Sequence, residues 1–144
     1  MREIKFRGKR VDNGEWVYGD LIRGYENQRR FIAYDQMAFT YAECGIERVA
    51  TERFLEVITE TVGQYTGLKD KNGVEIYEGD FVTAHAQAYR VVGEVRSRID
   101  GLWLLYPAYQ HGKLWGLSPN PKGQTKVEVI GNIHDNPELL KNAL

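Results

Sequence analysis

A single cysteine, Cys44, and only two serines, Ser97 and Ser118, stand among the 144 residues of this chain. One cysteine cannot close an internal disulfide, so an oxidised scaffold is excluded and a reducing cytoplasm is the expected compartment. Neither serine lies in the Gly-x-Ser-x-Gly elbow that exposes a nucleophile, and Cys44 has no histidine beside it in sequence. A lone cysteine of this kind reads as a small buried side chain. The three histidines, His85, His111 and His134, are scattered, with no Cys-x-x-Cys or His-Glu-x-x-His spacing to set two metal ligands on one face. Gly63 and Gly67 lack the further glycine and lysine of a phosphate cradle. No catalytic, cofactor-binding or metal-binding residue is therefore expected, and the chain reads as a non-enzyme. Long apolar runs are missing too: the longest, Leu102 to Tyr106, has five residues, against the roughly 20 that span a bilayer. Charges interleave the first ten residues where an export signal needs an apolar stretch. With 19 Lys and Arg against 20 Asp and Glu, global charge drives attachment neither to nucleic acid nor to a membrane.

What is present is strand chemistry between glycine-bearing turns. Ile4 and Phe6 alternate with Lys5 and Arg7, Asn13-Gly14 supplies the positive φ angles of a hairpin, and Trp16 and Tyr18 restart the alternation toward Ile22. With Arg30 to Tyr34 added, the first third reads as a meander. Asn72-Gly73 repeats the turn between Val62–Leu68 and Val74–Tyr77, followed by a short strand over Phe81–Ala84. Tyr89 to Ile99 is a long half-buried strand, Asp100-Gly101 returns it into Leu102–Tyr106, and Lys126–Ile133 is the last strand. A length of 144 residues fits one domain, with sub-structures expected at 1–58, a meander plus a short helix, and at 59–144.

Two segments break the pattern. Between Tyr41 and Phe54, the residues Ala42, Ile46, Val49, Ala50 and Phe54 approximate helical spacing and predict one short central helix, although Gly45 opposes it. At the end, Asn136, Pro137 and Glu138 are helix-entry residues, predicting a short C-terminal helix over Pro137–Asn142. Proline occurs only from Pro107 onward, and Pro107, Pro119 and Pro121 mark 107–126 as a long loop.

Two constellations invite a chemical reading. The carboxylates Asp70, Glu75, Glu78 and Asp80 bunch around two turns, but acid/base work needs two carboxyls held across a cleft, and turn-borne Asp and Glu ordinarily serve the turn. Arg90, Arg96 and Arg98 share one strand face, with Trp103, Tyr106, Tyr109 and Trp115 following. A basic β surface carrying aromatics such as Trp103 and Trp115 stacks single-stranded bases and neutralises phosphates; the plainer reading is a solvated face of Arg and Glu94 with the aromatics filling a core.

Three stretches resemble one family. They are the opening Met1-Arg2-Glu3-Ile4-Lys5-Phe6-Arg7, the central Glu60 to Gly73 continuing through Glu75-Ile76-Tyr77-Glu78-Gly79-Asp80, and the closing Val129-Ile130-Gly131-Asn132-Ile133-His134-Asp135-Asn136-Pro137-Glu138-Leu139-Leu140. Together they are similar to the YopX family of phage and prophage proteins. The resemblance implies a mainly β fold of bifurcated or barrel-like antiparallel sheets and a tendency to self-associate, and carries no assigned activity. Its signature residues are turn formers (Gly67, Asn72, Gly73, Gly79) and packing residues (Leu68, Ile76, Tyr77). The segment between Phe31 and Glu56 departs from the family pattern, so the central helix rests on periodicity alone. The expected function is a phage accessory protein of the host cytoplasm that binds a second copy or a host or phage protein; nucleic-acid binding through Arg90, Arg96 and Arg98 is the alternative.

Overall fold

A computed structural model describes residues 3–24, 28–34, 39–42, 45–49, 54–86 and 89–139. The chain divides into two compact units, Glu3–Gln64 and Tyr65–Leu144, so the division falls inside a strand rather than between residues 58 and 59.

In the N-terminal unit the strands are β1 (Phe6–Lys9), β2 (Trp16–Arg23), β3 (Arg30–Ala33), β4 (Phe39–Ala42), β5 (Gly45–Val49) and β6 (Phe54–Val57). The antiparallel order is β6-β3-β2-β1, and the first two residues of β7 (Gly63–Lys69) pair with β1. The β1–β2 hairpin pairs Lys9 with Trp16 across six loop residues, longer than the two-residue turn that Asn13-Gly14 predicts. Gly14 nevertheless takes the expected positive φ of 73°. Period-two alternation puts Val17, Ile32 and Val57 on one buried face with Phe6, Leu21, Leu55 and Val62 against them. Gly8 is needed there: a Cβ at that position would lie 2.8 Å from the Val57 Cβ. An isolated bridge joins Arg10 to Val57, but the sheet does not close into a barrel.

The central helix expected between Tyr41 and Phe54 is not there. Its described residues form the two-stranded antiparallel ribbon β4–β5 and then β6. Phe39-Thr40-Tyr41 and Ile46 to Val49 are rich in β-branched and aromatic types, and Gly45 is a poor helix-interior residue; that local preference outweighs a loose apolar spacing. Cys44 lies outside the described residues.

In the C-terminal unit the rest of β7 pairs with β8 (Glu75–Tyr77), and an open five-stranded antiparallel sheet runs β12-β11-β10-β9-β13. Its strands are β9 (Asp80–Ala86), β10 (Tyr89–Ser97), β11 (Trp103–Gln110), β12 (Lys113–Gly116) and β13 (Glu128–Asn132). This sheet is not a closed barrel either. Its core is Ile76, Val82, Ala84, Val95, Leu105 and Val127, each fully buried large side chain contributing roughly 1.5–3 kcal/mol. Asp70 organises the β7–β8 turn: the Asn72 and Val74 N–H groups donate to Oδ1 at 2.8 and 2.9 Å, and the Val129 N–H donates to Oδ2 at 3.0 Å. Gly73, with φ of 84°, completes that turn.

The proline-marked loop is shorter than expected. Pro107 lies within β11, beside an irregularity in the β11–β12 register that accommodates its missing N–H. His111-Gly112 then turns the chain into β12, so irregular backbone begins only after Gly116. The C-terminal helix expected over Pro137–Asn142 is not borne out. Asn132 instead caps a tight turn, its Oδ1 accepting the His134 and Asp135 N–H groups at 3.0 and 2.9 Å. Among the described residues of that span Glu138 and Leu139 take helical geometry, and residues 140–144 lie outside the described ones. No helix among the described residues is long and apolar enough to cross a membrane.

Candidate binding surface

Register across the Asp100-Gly101 turn decides which side chains β10 and β11 present together. Arg96 pairs with Leu104 and Glu94 with Tyr106, whereas Ser97 pairs with Trp103 and Val95 with Leu105. Directly opposed residues share a face, so Arg96, Glu94 and Tyr106 lie on one side and Trp103 on the other, among core residues. Trp103 and Trp115 both pack against the Val82–Val95–Leu105 cluster. The Trp115 Nε1–H donates to the Gln110 carbonyl at 2.8 Å. The proposed arginine face is thus separated from the two tryptophans.

What the arginines do have beside them is tyrosine. The Arg96 guanidinium sits 4.6 Å over the Tyr106 ring and also donates to Glu94 Oε1 at 2.9 Å. That bond to Glu94 raises the Arg96 pKa further. Arg98 lies just past the end of β10 and pairs with Asp100, its Nε donating at 2.9 Å; this bond holds the Asp100 carboxyl below the usual range. Arg90, at the far end of β10 opposite His85, is exposed and has no ion pair among the described residues. Two of the three arginines are thereby neutralised locally, which weakens phosphate attraction.

Large apolar side chains are exposed on β11, on β12 and at the β10–β11 turn. Tyr109 is 74% exposed and opposes Leu114, itself 47% exposed, on β12; Ile99, Leu102 and Tyr106 are exposed nearby in the chain. The two margins of the sheet differ. At β13 the Val129 N–H is taken by Asp70 and the Val127 carbonyl by the Lys71 N–H at 2.9 Å. At β12 the only neighbouring strand among the described residues is β11. Sequence reasoning missed Leu114 and β12 altogether because Pro107 hid them in a supposed loop.

The remaining candidates serve the fold. Asp70 is 1% exposed, and Asp80 Oδ2 accepts the Tyr77 N–H at 2.8 Å. The Tyr77 hydroxyl donates to Glu75 at 3.2 Å, and the Ser97 hydroxyl to Glu78 at 3.5 Å. The His111 ring stacks on Tyr89 at 4.2 Å. Among the described residues no three His, Cys, Asp or Glu side chains gather as a metal site.

Open antiparallel sheets and hairpins closed by Asx and glycine turns define a mainly β protein. The chain belongs to the YopX protein family, whose model matches residues 5–141. It is also similar to protein EF1440 from Enterococcus faecalis, known from a crystal structure: identity is 25%, the TM-score 0.50, and the match covers 97% of this chain and 99% of that one. No protein of curated function matches the sequence.

Proposed function

We propose that this chain is a non-enzymatic binding module that self-associates, carried by a phage or prophage and acting in the cytoplasm of the bacterial host. The observation that supports it is the β12 margin: a strand whose only neighbouring strand among the described residues is β11, with Tyr109 and Leu114 exposed. Unpaired backbone groups on an edge recruit a further strand, and adjacent apolar side chains supply the burial that makes the pairing hold. A second copy of the chain is the occupant we favour, because β12 carries Lys113 as its sole charge and offers little to repel its own copy. Light scattering at micromolar concentration is expected to give a particle heavier than 16.6 kDa, and Leu114→Glu is expected to reduce it to monomer. A wild-type chain that is monomeric throughout that range overturns this reading.

The exposed Arg96–Tyr106 stack supports a second reading, single-stranded nucleic acid bound across β10 and β11. Salt-sensitive retention on single-stranded DNA that is lost when Arg90, Arg96 and Arg98 become Glu favours it; retention unchanged in that variant removes it.

A further inference from the structure

Between the β7–β8 turn and the segment leading into β13 lies a hollow of about 560 Å3. Its wall is built before any ligand arrives. The Lys69 N–H donates to the Gly123 carbonyl at 2.9 Å, the Thr125 N–H returns to the Lys69 carbonyl at 2.8 Å, and the Gln124 amide nitrogen donates to the Lys71 carbonyl at 3.2 Å. Within the segment, Asn120 Oδ1 accepts the Lys122 and Gln124 N–H groups at 2.9 and 3.0 Å. Preorganisation of this kind lowers the ordering cost of binding.

The chemistry of the lining has a sign. Among the described residues no carboxylate lines the hollow, while Lys71 and Lys126 do. The Lys71 ammonium is shared with Glu128 at 3.1 Å, whereas Lys126 has no ion pair among the described residues. Because Asn120 spends its oxygen on the backbone, its NH2 group is left as a donor, and the Ser118 hydroxyl likewise has no partner among the described residues. An ammonium without an ion pair among the described residues, an amide NH2 and a hydroxyl thus belong to residues that line a single concavity, together with Pro119. Among the described residues no aromatic ring lines it.

We propose that this hollow binds a phosphate group borne by a larger molecule. A phosphate monoester presents three terminal acceptor oxygens, and a diester two terminal and two ester oxygens, around a charge of −1 to −2, which matches an ammonium with two neutral donors. The volume exceeds what inorganic phosphate fills, which leaves room for the ester that carries it. Two sources share this chemistry, a small phosphate monoester and the backbone of a nucleic-acid strand. None of the lining residues is Arg90, Arg96, Arg98 or part of β12, so the phosphate titration reads this site apart from the self-association reading.

The test is an amide NMR titration of the full chain with inorganic phosphate, a nucleoside 5′-monophosphate and an octathymidylate, following residues 118–126. Saturable shifts in those residues are expected, strongest for one of the two esters. Tighter binding of the monophosphate identifies a small-molecule ligand, and tighter binding of the oligonucleotide a strand; either supports the site. Lys126→Met, at an exposed position with no structural bond, is expected to leave the spectrum folded and to weaken binding about tenfold. Absence of saturable shifts with all three probes, or affinity unchanged in Lys126→Met, overturns the proposal.

Discussion

Replacing Asp70 by alanine removes the acceptor for three backbone N–H groups, those of Asn72, Val74 and Val129, at 2.8, 2.9 and 3.0 Å. A hydrogen bond to a charged group contributes about 1.5–3 kcal/mol, and a donor left buried without an acceptor costs a similar amount. Asn72 and Val74 are exposed and can turn to water, whereas Val129 is half-buried on the sheet margin. One bond lost in full and two in part give a destabilisation of about 3–5 kcal/mol, a large share of the roughly 5–15 kcal/mol that holds an ordinary domain folded. Asp70→Asn separates the contributions. Its oxygen still accepts the two turn bonds, but its NH2 confronts the Val129 N–H, so the loss should be about 1.5–3 kcal/mol. Urea unfolding followed by tryptophan fluorescence reads this unit well, since Trp103 and Trp115 lie in its core margin. Hydrogen exchange at the Val129 amide reads the third bond directly. An alanine variant within about 1 kcal/mol of wild type, or an asparagine variant as destabilised as the alanine one, would refute the assignment.

Two glycines should both lose stability on substitution, but for different reasons that their surroundings dictate. In Gly93→Ala the new Cβ would lie 2.8 Å from the Leu105 Cβ and 3.1 Å from its carbonyl carbon, so thermal melting should show a loss of about 1–3 kcal/mol with disturbed β10–β11 pairing. In Gly73→Ala nothing lies within 4 Å, and only the positive φ of 84° opposes the substitution, at about 1–2 kcal/mol and with the core spectrum unchanged. The pH profile is the third. The bidentate bond from Arg29, at 3.0 and 2.8 Å, holds the Glu56 carboxyl below its usual range. A carboxylate depressed by folding stabilises the fold above its unfolded pKa, and that contribution is lost as pH falls through the folded value. Melting temperature should therefore drop on acidification through and below the ordinary glutamate range, and the drop should be shallower in Glu56→Gln; identical profiles would show that the pair contributes nothing measurable.

Much of the architecture was legible because turn residues and strand alternation agree with one another. Asn72-Gly73 and Asp100-Gly101 each fall at a hairpin, and Gly73 and Gly101 both adopt positive φ, at 84° and 89°. The errors share a cause, which is reading one residue type without its register. Ala42, Ile46 and Val49 suggested a helix although the residue types around them favour strands, and the chain pairs as β4 and β5. Pro107 suggested a break although a register irregularity lets a strand carry it. Trp103 was grouped with Arg96, yet counting outward from the Asp100-Gly101 turn sets Trp103 opposite Ser97 and so on the face away from the arginines. The hollow beside Lys71 was out of reach for a different reason, since it depends on contacts between residues dozens of positions apart, such as Lys69 and Thr125.

The distance along the chain between the partners of Asp70 also orders the events of folding. Asp70 meets Val129 across 59 positions, and the Thr125 hydroxyl meets the Lys69 carbonyl across 56. A chain leaving the ribosome from its N-terminus exposes the β7–β8 turn long before either partner exists, so this turn stays half-fastened until β13 emerges. Closing so long a loop is slow and is rewarded only when several of these bonds form together. The last strand made is therefore the one that locks the first turn of its unit.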